Sequence, residues 1–190
     1  YPIMLKATSG GGGRGIRRCN DPKELQQNYQ RVISEATKAF GSADVFMEKC
    51  IVDPRHIEVQ ILADSQGNTV HLFERDCSIQ RRNQKLIELA PSPQLNDEQR
   101  NRIGELSVKL AKEVGYENAG TVEFLLDSDG SFYFMEMNTR IQVEHTITEE
   151  ITGIDIVREQ IRIASGLPLS VEQKSITYSG FAAQFRINAE

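Results

Sequence analysis

The chain has 190 residues, of which 39% are hydrophobic and 26% are charged, a composition typical of a folded globular protein. Its formal net charge is −5, so a general electrostatic attraction to nucleic acid or to an anionic membrane is not expected. No apolar run approaches the roughly 20 residues that span a bilayer. We therefore expect neither nucleic acid nor a membrane among its partners.

The cysteines and histidines show no metal-binding spacing. Cys19, Cys50 and Cys77 lie about thirty residues apart without a C-x-x-C motif, which fits neither a disulfide framework nor a zinc site. The histidines form no H-x-x-x-H pattern. Reduced thiols and a cytoplasmic location are expected. Because the sequence begins without Met and stops inside a predicted strand, we expect it to be a piece of a longer protein.

The predicted elements fall into two groups. The first contains a strand, a glycine cluster, a second strand, a helix that begins after Asn20 and Asp21, and a third strand. In the second, two predicted hairpins alternate with helices, which indicates an α+β fold with antiparallel sheets flanked by helices. The predicted strands are 2–7, 16–19, 45–50, 56–63, 69–74, 120–126, 131–137 and 181–188, and the predicted helices are 22–40, a segment between Asn96 and Gly115, and 148–165.

Two patterns predict which faces are buried. In the strand 56–63, apolar Ile57, Val59 and Ile61 alternate with polar residues at 56, 58 and 60, which predicts one apolar and one polar face. The helix after Asn96 has apolar residues at helical spacing, which predicts a buried stripe formed by Ile103, Leu106, Leu110 and Val114.

The segment Ser9–Gly15 satisfies G-x-G-x-x-G, but its context fits no common nucleotide-binding motif. A dinucleotide fold needs a helix directly after the third glycine, and a P-loop needs a lysine where Ile16 stands. The backbone N–H groups of a glycine-tipped hairpin can close over phosphates, and Lys6 can add a positive charge. A flexible glycine linker explains the pattern equally well.

The second hairpin brings two carboxylates together. If residues 127–130 form its loop, Glu123 lies opposite Phe134, and Glu136 and Asn138 follow on the same face. Diagonal neighbours of this kind are roughly 7–8 Å apart, so the two glutamates can converge on a cation. Carboxylate and amide oxygens suit Mg²⁺ bound together with phosphates. Two acids that point into solvent are the alternative.

Two further polar patterns suggest an anion site. If the segment after Asn138 is extended, Arg140, Gln142 and Glu144 share one side, where they can hold a small anion and take a proton from it. A polar ladder facing solvent is an equal alternative. The stretch 75–85 contains four basic residues, Arg75, Arg81, Arg82 and Lys85, which form an anion pocket or a solvated loop with salt bridges.

Taken together, these segments resemble the biotin carboxylases, which are ATP-grasp enzymes. The resemblance covers essentially the whole chain and is strongest with the biotin carboxylase subunit of two-subunit pyruvate carboxylases. It implies residues 1–50 as a glycine-rich ATP-grasp lid and residues 51–190 as a partial body. The motifs that carry it are SGGGGRGIR, MEKCI, PRHIEVQIL, ERDCSIQRRNQK, GTVEFL, FMEMNTRIQVEHTITE and FRINAE.

The resemblance implies the ATP- and bicarbonate-dependent carboxylation of biotin on a carrier protein. Its cofactors would be ATP, Mg²⁺ or Mn²⁺, and biotin. Its partners would be bicarbonate, the biotin carboxyl carrier protein and a carboxyltransferase subunit, within a homo-oligomeric parent protein. The final CO₂ acceptor would be pyruvate. The alternatives are an acyl-CoA carboxylase subunit, another ATP-grasp carboxylate–amine ligase, and a non-catalytic nucleotide-sensing module.

The same resemblance implies a role for individual residues. The nucleotide would be bound by Lys6, Gly10, Gly11, Gly12, Gly13, Gly15, Ile16, Glu48, Lys49, Ile51, His56, Gln80 and Leu125. The metal would be bound by Glu123, Glu136 and Asn138, and bicarbonate by Lys85, Arg140, Gln142 and the backbone of Val143. The catalytic residues would be Glu144 as general base, Arg186 for the biotin enolate, Arg140 and Lys85.

One position departs from the family. Many biotin carboxylases have histidine where this chain has Asn83, and asparagine does not titrate near neutral pH. Asn83 can replace a histidine that only forms hydrogen bonds, but not one that shuttles protons. An Asn83→His variant separates the two cases, since an altered pH–rate profile supports a proton role and an unchanged profile excludes it.

Overall fold

The computed structural model describes residues 1–9 and 15–187 and shows an α+β fold made of antiparallel sheets and flanking helices. The chain divides into two compact units, residues 1–53 and 54–190. The glycines at 10–13 and the last three residues lie outside the described residues. No helix in the described ranges is long and apolar enough to cross a membrane. The roles of lid and body stay predictions.

The first unit is a three-stranded sheet covered by one helix. Strands β1 (Ile3–Ala7), β2 (Ile16–Cys19) and β3 (Val45–Lys49) pair in the order β2-β1-β3, and helix α1 spans Pro22–Phe40. The Asp21 side chain accepts a hydrogen bond from the backbone N–H of Glu24 at the start of the helix, and Gly41 ends it with a φ of +73°. The core is formed by Leu5, Ala7, Cys19, Val32 and Ala36.

The second unit is built on a six-stranded antiparallel sheet with the order β8-β7-β4-β5-β6-β9. The helices α2, α3 and α4 and a short 3₁₀ turn at Gln173–Ser175 complete it. The strands are β4 (Arg55–Ala63), β5 (Thr69–Arg81), β6 (Gln84–Ala90), β7 (Asn118–Leu126), β8 (Phe132–Asn138) and β9 (Ala182–Phe185), and the helices are α2 (Asp97–Glu113), α3 (His145–Thr152) and α4 (Ile156–Ala164).

The alternation in β4 is confirmed, because Ile57, Val59 and Ile61 are fully buried in the core beneath α2. The predicted stripe of α2 is wrong in part, since Leu106 is 43% and Val114 is 64% exposed. The helix instead buries a narrower face formed by Arg100, Ile103, Gly104, Ser107 and Ala111. Small residues allow this close approach, since a Cβ on Gly104 would lie 2.5 Å from Cε1 of His71.

Strand β5 extends through most of the basic stretch 75–85, for which the sequence left an anion pocket or a solvated loop open. It continues to Arg81 and turns directly into β6. The turn consists of Arg82 and Asn83, whose φ angles are +52° and +62°. Positive φ at both central residues is the property of a type I′ hairpin turn, which favours asparagine. The turn thereby determines where Lys85 enters the sheet.

The hairpin of β7 and β8 has a different register from the predicted one. Asp127 donates its backbone N–H to the carbonyl of Ser131, and Gly130 has a φ of +84°, so the loop consists of the three residues 128–130 rather than the four assumed. A second irregularity lies next to Glu123, which pairs directly with Glu136 rather than with Phe134. The two glutamates are therefore direct neighbours across the strands.

The end of the chain also differs from the prediction. The helix predicted over 148–165 is two helices, α3 and α4, separated at Gly153, which has a φ of +70°. The segment after Asn138 is a turn rather than an extended strand, so the predicted alternation of Arg140, Gln142 and Glu144 is wrong. Strand β9 ends at Phe185, before the predicted limit at 188.

We predict that Asn83→Val destabilises the chain by about 1–2 kcal/mol, because a β-branched residue is strained at positive φ. Asn83→Gly serves as the control and should unfold within about 0.5 kcal/mol of the parent, because glycine adopts this conformation without a Cβ penalty. Urea unfolding measures both variants. Equal stability of the valine and glycine variants would contradict a left-handed turn residue.

Candidate functional site

Lys85 is the centre of a buried charge cluster on the polar face of the six-stranded sheet. Its Nζ lies 3.0 Å from Oε1 of Glu123 and 2.8 Å from Oε1 of Glu144, and it also contacts Oε2 of Glu58. Glu58 and Glu123 are paired residues of the adjacent strands β4 and β7. Glu144 directly precedes α3. One ammonium group therefore holds together three carboxylates from three parts of the second unit.

The charges of this cluster depend on one another. Burial opposes ionisation of Glu58, but Arg75 and Lys85 outweigh it and hold the pKa of Glu58 below its ordinary value. Burial likewise opposes ionisation of Glu123, but the hydrogen bond to His56 and the charge of Lys85 lower its pKa to about 2. Burial alone would lower the pKa of Lys85, and the surrounding glutamates, Glu58 foremost, raise it.

His56 joins the cluster to the nucleotide residues predicted on β5. Its Nε2 lies 2.8 Å from Oε2 of Glu123, and its Nδ1 lies 2.9 Å from Nε2 of Gln80. Because the amide nitrogen of Gln80 only donates, Nδ1 accepts, and the proton on Nε2 points at the carboxylate. The half-buried Leu125 is the direct neighbour of His56 on β7. The structure thus brings three of the predicted nucleotide residues together.

The loop after β8 brings amide groups to the cluster. Nδ2 of Asn138 and Nε2 of Gln142 each lie 2.9 Å from Oε1 of Glu123. Gln142 is 5% exposed. Arg140 is exposed and donates to the carbonyl of Ile141, and the Val143 side chain is 63% exposed. The loop therefore places Gln142 in the cluster, whereas the side chains of Arg140 and Val143 lie outside it.

Arg186 links the cluster to β6. Its guanidinium lies 2.6 Å from Oε1 of Glu88 through Nε and 2.9 Å from Oε2 of Glu144 through an NH2 group. Glu144 thus has Lys85 at one oxygen and Arg186 at the other. Burial raises the pKa of Glu88 despite the opposing charge of Arg186. Two cations fix the position of the Glu144 carboxylate.

The predicted metal ligands are only partly gathered. Glu123 and Glu136 are paired across the strands, but Glu136 is exposed while Glu123 is buried. Among the described residues, the potential ligand atoms that lie within 4.8 Å of one another form two groups. One group consists of His56, Glu58 and Glu123, and the other consists of Glu58, Cys77 and Glu144. Burial and Glu58 raise the pKa of Cys77 well above its ordinary value, so its sulfur stays protonated.

The three strands of the first unit carry four of the predicted nucleotide residues, Lys6, Ile16, Glu48 and Lys49. Nζ of Lys6 is 2.5 Å from Oε2 of Glu48, and Ile16 pairs with Lys6 in the sheet. Gly15 has a φ of +72°, and its carbonyl accepts a hydrogen bond from the backbone N–H of Ala7. Lys49 ends β3, and Ile51 is buried. The predicted residues Gly10, Gly11, Gly12 and Gly13 lie outside the described residues.

Sequence reasoning missed several members of the cluster. The sequence pattern indicates no role for Glu58, Glu88 or Thr121. It leaves Arg75 in a stretch that forms an anion pocket or a solvated loop, whereas the structure buries Arg75 fully. The alternation in β4 contained a signal for Glu58, since a polar residue between Ile57 and Val59 belongs to the face opposite the core. For Arg75, the signal was hidden because the predicted strand 69–74 stops just before it, whereas β5 continues to Arg81.

Comparison with known proteins defines the class. The family model described as carbamoyl-phosphate synthase L chain, ATP binding domain, matches residues 1–172, and the chain belongs to this family. The predicted ATP-grasp fold is confirmed.

Individual relatives narrow the class to proteins with biotin carboxylase modules. A biotin carboxylase of Nostoc sp. is 57% identical over 190 residues, covering 100% of this chain and 42% of the relative. Mitochondrial pyruvate carboxylase of Homo sapiens is 56% identical over 193 residues, covering 100% of this chain and 16% of the relative.

A solved structure agrees with these relatives. It is the biotin carboxylase domain dimer of 2-oxoglutarate carboxylase from Hydrogenobacter thermophilus, in complex with MgADP, ADP and bicarbonate. It matches with a TM-score of 0.96 and 58% identity, covering 100% of this chain and 42% of that one. The resemblance to biotin carboxylases is confirmed, and the chain spans about two fifths of the length of its first relatives.

We predict that Lys85→Met destabilises the 190-residue chain by about 3–5 kcal/mol at pH 7, because it leaves buried carboxylates without their counter-ion. In the parent, the lowered pKa of Glu123 contributes stability above about pH 4.5 that is lost as the pH falls toward 2. In the variant, burial without the counter-ion raises the pKa values of the carboxylates, which take up protons on folding, so its deficit shrinks as the pH falls from 7 to 5.

The control is Lys109→Met, which removes an exposed lysine of α2. Urea unfolding at pH 7 and pH 5 measures both variants against the parent. A Lys85→Met deficit that is small, or that does not depend on pH, would show that the three carboxylates do not rely on this ammonium group.

Proposed function

We propose that this chain is the catalytic core of a biotin carboxylase, which carboxylates biotin on a carrier protein with ATP and bicarbonate. The observation that supports this most directly is the Glu144 carboxylate held between Lys85 and Arg186 in a buried site. Each carboxylate oxygen has a second lone pair, so Glu144 can still accept a proton from bicarbonate. The two cations can stabilise the anions that lie beside it.

In this proposal, bicarbonate is bound next to Glu144 by Lys85, the amide of Gln142, the Val143 backbone and Arg140. The fixed charge of Lys85 and the donor groups of Gln142 suit a small planar anion. Arg186 stabilises the biotin enolate, for which a guanidinium is suited because it keeps its charge at any working pH. The exposed position of the Arg140 side chain leaves it able to meet a substrate from the solvent side.

The donor set fits a divalent cation. Glu123 and Glu136 are paired across β7 and β8, and Asn138 adds an amide oxygen, which are the hard ligands that Mg²⁺ or Mn²⁺ takes together with phosphates. Glu123, Glu136 and Asn138 would hold the ion, which neutralises phosphate charge when it is bound. Lys85 and His56 meanwhile keep Glu123 ionised and in place.

ATP binding is assigned to residues of both units in the same proposal. In the second unit, His56, Gln80 and Leu125 are neighbours on adjacent strands. In the first unit, the assigned residues are Lys6, Gly10, Gly11, Gly12, Gly13, Gly15, Ile16, Glu48, Lys49 and Ile51. Residues 1–50 act as the lid and residues 51–190 as part of the body.

The parent protein is proposed to be a cytoplasmic homo-oligomer that works with a biotin carboxyl carrier protein and a carboxyltransferase subunit. We propose pyruvate as the final CO₂ acceptor, which one of the relatives supports by its name. A carboxyltransferase assay of the complete assembly with pyruvate, 2-oxoglutarate and acyl-CoA substrates separates this acceptor from the alternatives.

We predict that the complete parent protein releases ADP from ATP and Mg²⁺ only when bicarbonate is present, and faster with free biotin. Glu144→Gln should lower the biotin-dependent kcat by about 10²-fold or more, because an amide cannot act as the base. Glu150→Gln, an exposed position of α3, serves as the control and should leave kcat unchanged. ADP release that needs neither bicarbonate nor biotin would refute the proposal and favour another ATP-grasp ligase.

A further inference from the structure

The fully buried Arg75 has every N–H group engaged. Its Nε lies 2.7 Å from Oε1 of Glu58, and one NH group, NH1, lies 2.8 Å from Oε1 of Gln60 and 2.9 Å from Oγ1 of Thr148. The other, NH2, lies 3.3 Å from Oγ1 of Thr121 and 3.3 Å from Oε1 of Gln142. A guanidinium has five N–H groups, so these five contacts satisfy all of them.

These contacts determine which way the Gln142 amide points. Arginine has no acceptor, so the amide must offer it the oxygen, and the Glu123 carboxylate has no donor, so the amide must offer it the nitrogen. If the amide were rotated by half a turn, its NH₂ group would face the N–H of Arg75 and its oxygen would face the carboxylate of Glu123, and neither contact could be a hydrogen bond. Arg75 therefore keeps the N–H groups of Gln142 directed at the cluster around Lys85.

Arg75 also fixes the carboxylate that holds Lys85. It binds Oε1 of Glu58, while Lys85 binds Oε2 of the same group. The guanidinium is planar, so its Nε and NH2 edges hold Glu58 and Gln142 in one rigid frame. Lysine would supply the charge without this geometry, because its ammonium group is a compact point charge on a flexible stem.

We propose that Arg75 is a positioning residue for bicarbonate, which acts by fixing the Gln142 amide and the Glu58–Lys85 pair. The inference rests on the proposed function. Arg75 would act on two residues of the bicarbonate site. Gln142 would contact the anion directly, and Lys85 would supply the positive charge. Arg75 itself is shielded from substrate because it is 0% exposed. In metal sites, displacing groups that support the ligands typically costs about 10- to 100-fold in affinity or activity, and we expect an effect of this order here.

The test is Arg75→Lys in the complete parent protein, measured by bicarbonate-dependent ADP release. We expect the KM for bicarbonate to rise about tenfold or more while the KM for ATP stays within about twofold. Arg100→Lys is the matched control. Arg100 is also a buried arginine, but its partners are Glu74, Asp97 and the carbonyls of Ser92 and Leu95, outside the cluster. It should leave both KM values within about twofold.

A double variant tests whether Arg75 acts through Gln142. Gln142→Met alone should raise the KM for bicarbonate, and adding Arg75→Lys should raise it further by a clearly smaller factor than Arg75→Lys does in the parent, because only the Glu58–Lys85 route is then left to disturb. Independent multiplication of the two effects would overturn the inference. So would an Arg75→Lys variant whose KM for bicarbonate is unchanged, or whose KM for ATP rises in parallel.

A gentler pair of variants covers the case in which Arg75→Lys does not fold. Thr121→Val removes an acceptor of the NH2 group that binds Gln142, whereas Thr148→Val removes an acceptor of NH1. We expect a two- to fivefold rise in the KM for bicarbonate for Thr121→Val only, at about the scale of one hydrogen bond. Equal effects would overturn the inference. If the unmodified parent shows no bicarbonate dependence at all, the proposed function fails instead.

Discussion

The structure of the second unit depends on burying several carboxylates next to one another. Glu58 and Glu123 are neighbours on adjacent strands and Glu144 approaches them from the start of α3, so without a cation they would repel each other strongly. The charge of Lys85 offsets this repulsion at the centre of the cluster. Arg75 does the same beside Glu58, and Arg186 beside Glu144. The positions of β4, β5, β6, β7 and α3 are thereby coupled to one arrangement of charges.

This coupling explains why irregular features of the sheet lie near the cluster. The left-handed turn at Arg82 and Asn83 sets the entry of Lys85, and the irregular register beside Glu123 aligns this residue with Glu136. Each feature aims a charged side chain at the polar face, which is the usual effect of a bulge or tight turn beside a binding site.

The sequence was sufficient for most elements and for the fold class, because apolar periodicity and helix caps are local signals. It also indicated the polar face of β4 at His56 and Glu58 and the pair Glu123 and Glu136. It failed where the outcome depends on packing: α2 turns small residues rather than Leu106 and Val114 toward the sheet, and a one-residue change in loop length shifts the register of β8. The burial of Arg75 could not be predicted for the same reason, since its partners come from three separate elements, β4, β7 and α3, and from a loop.

The position of Arg186 has a consequence for the dynamics of the site. It follows β9, which is an edge strand in the described part of the chain and pairs only with β6 there. Edge strands open locally at a lower free energy than the centre of a sheet and exchange their amide hydrogens sooner. The ion pairs of Arg186 with Glu88 and Glu144 therefore also fasten this strand end, and protonation or displacement of either carboxylate would loosen it. Arg186, the residue proposed to stabilise the biotin enolate, thus lies at the end of a strand that opens more readily than the centre of the sheet.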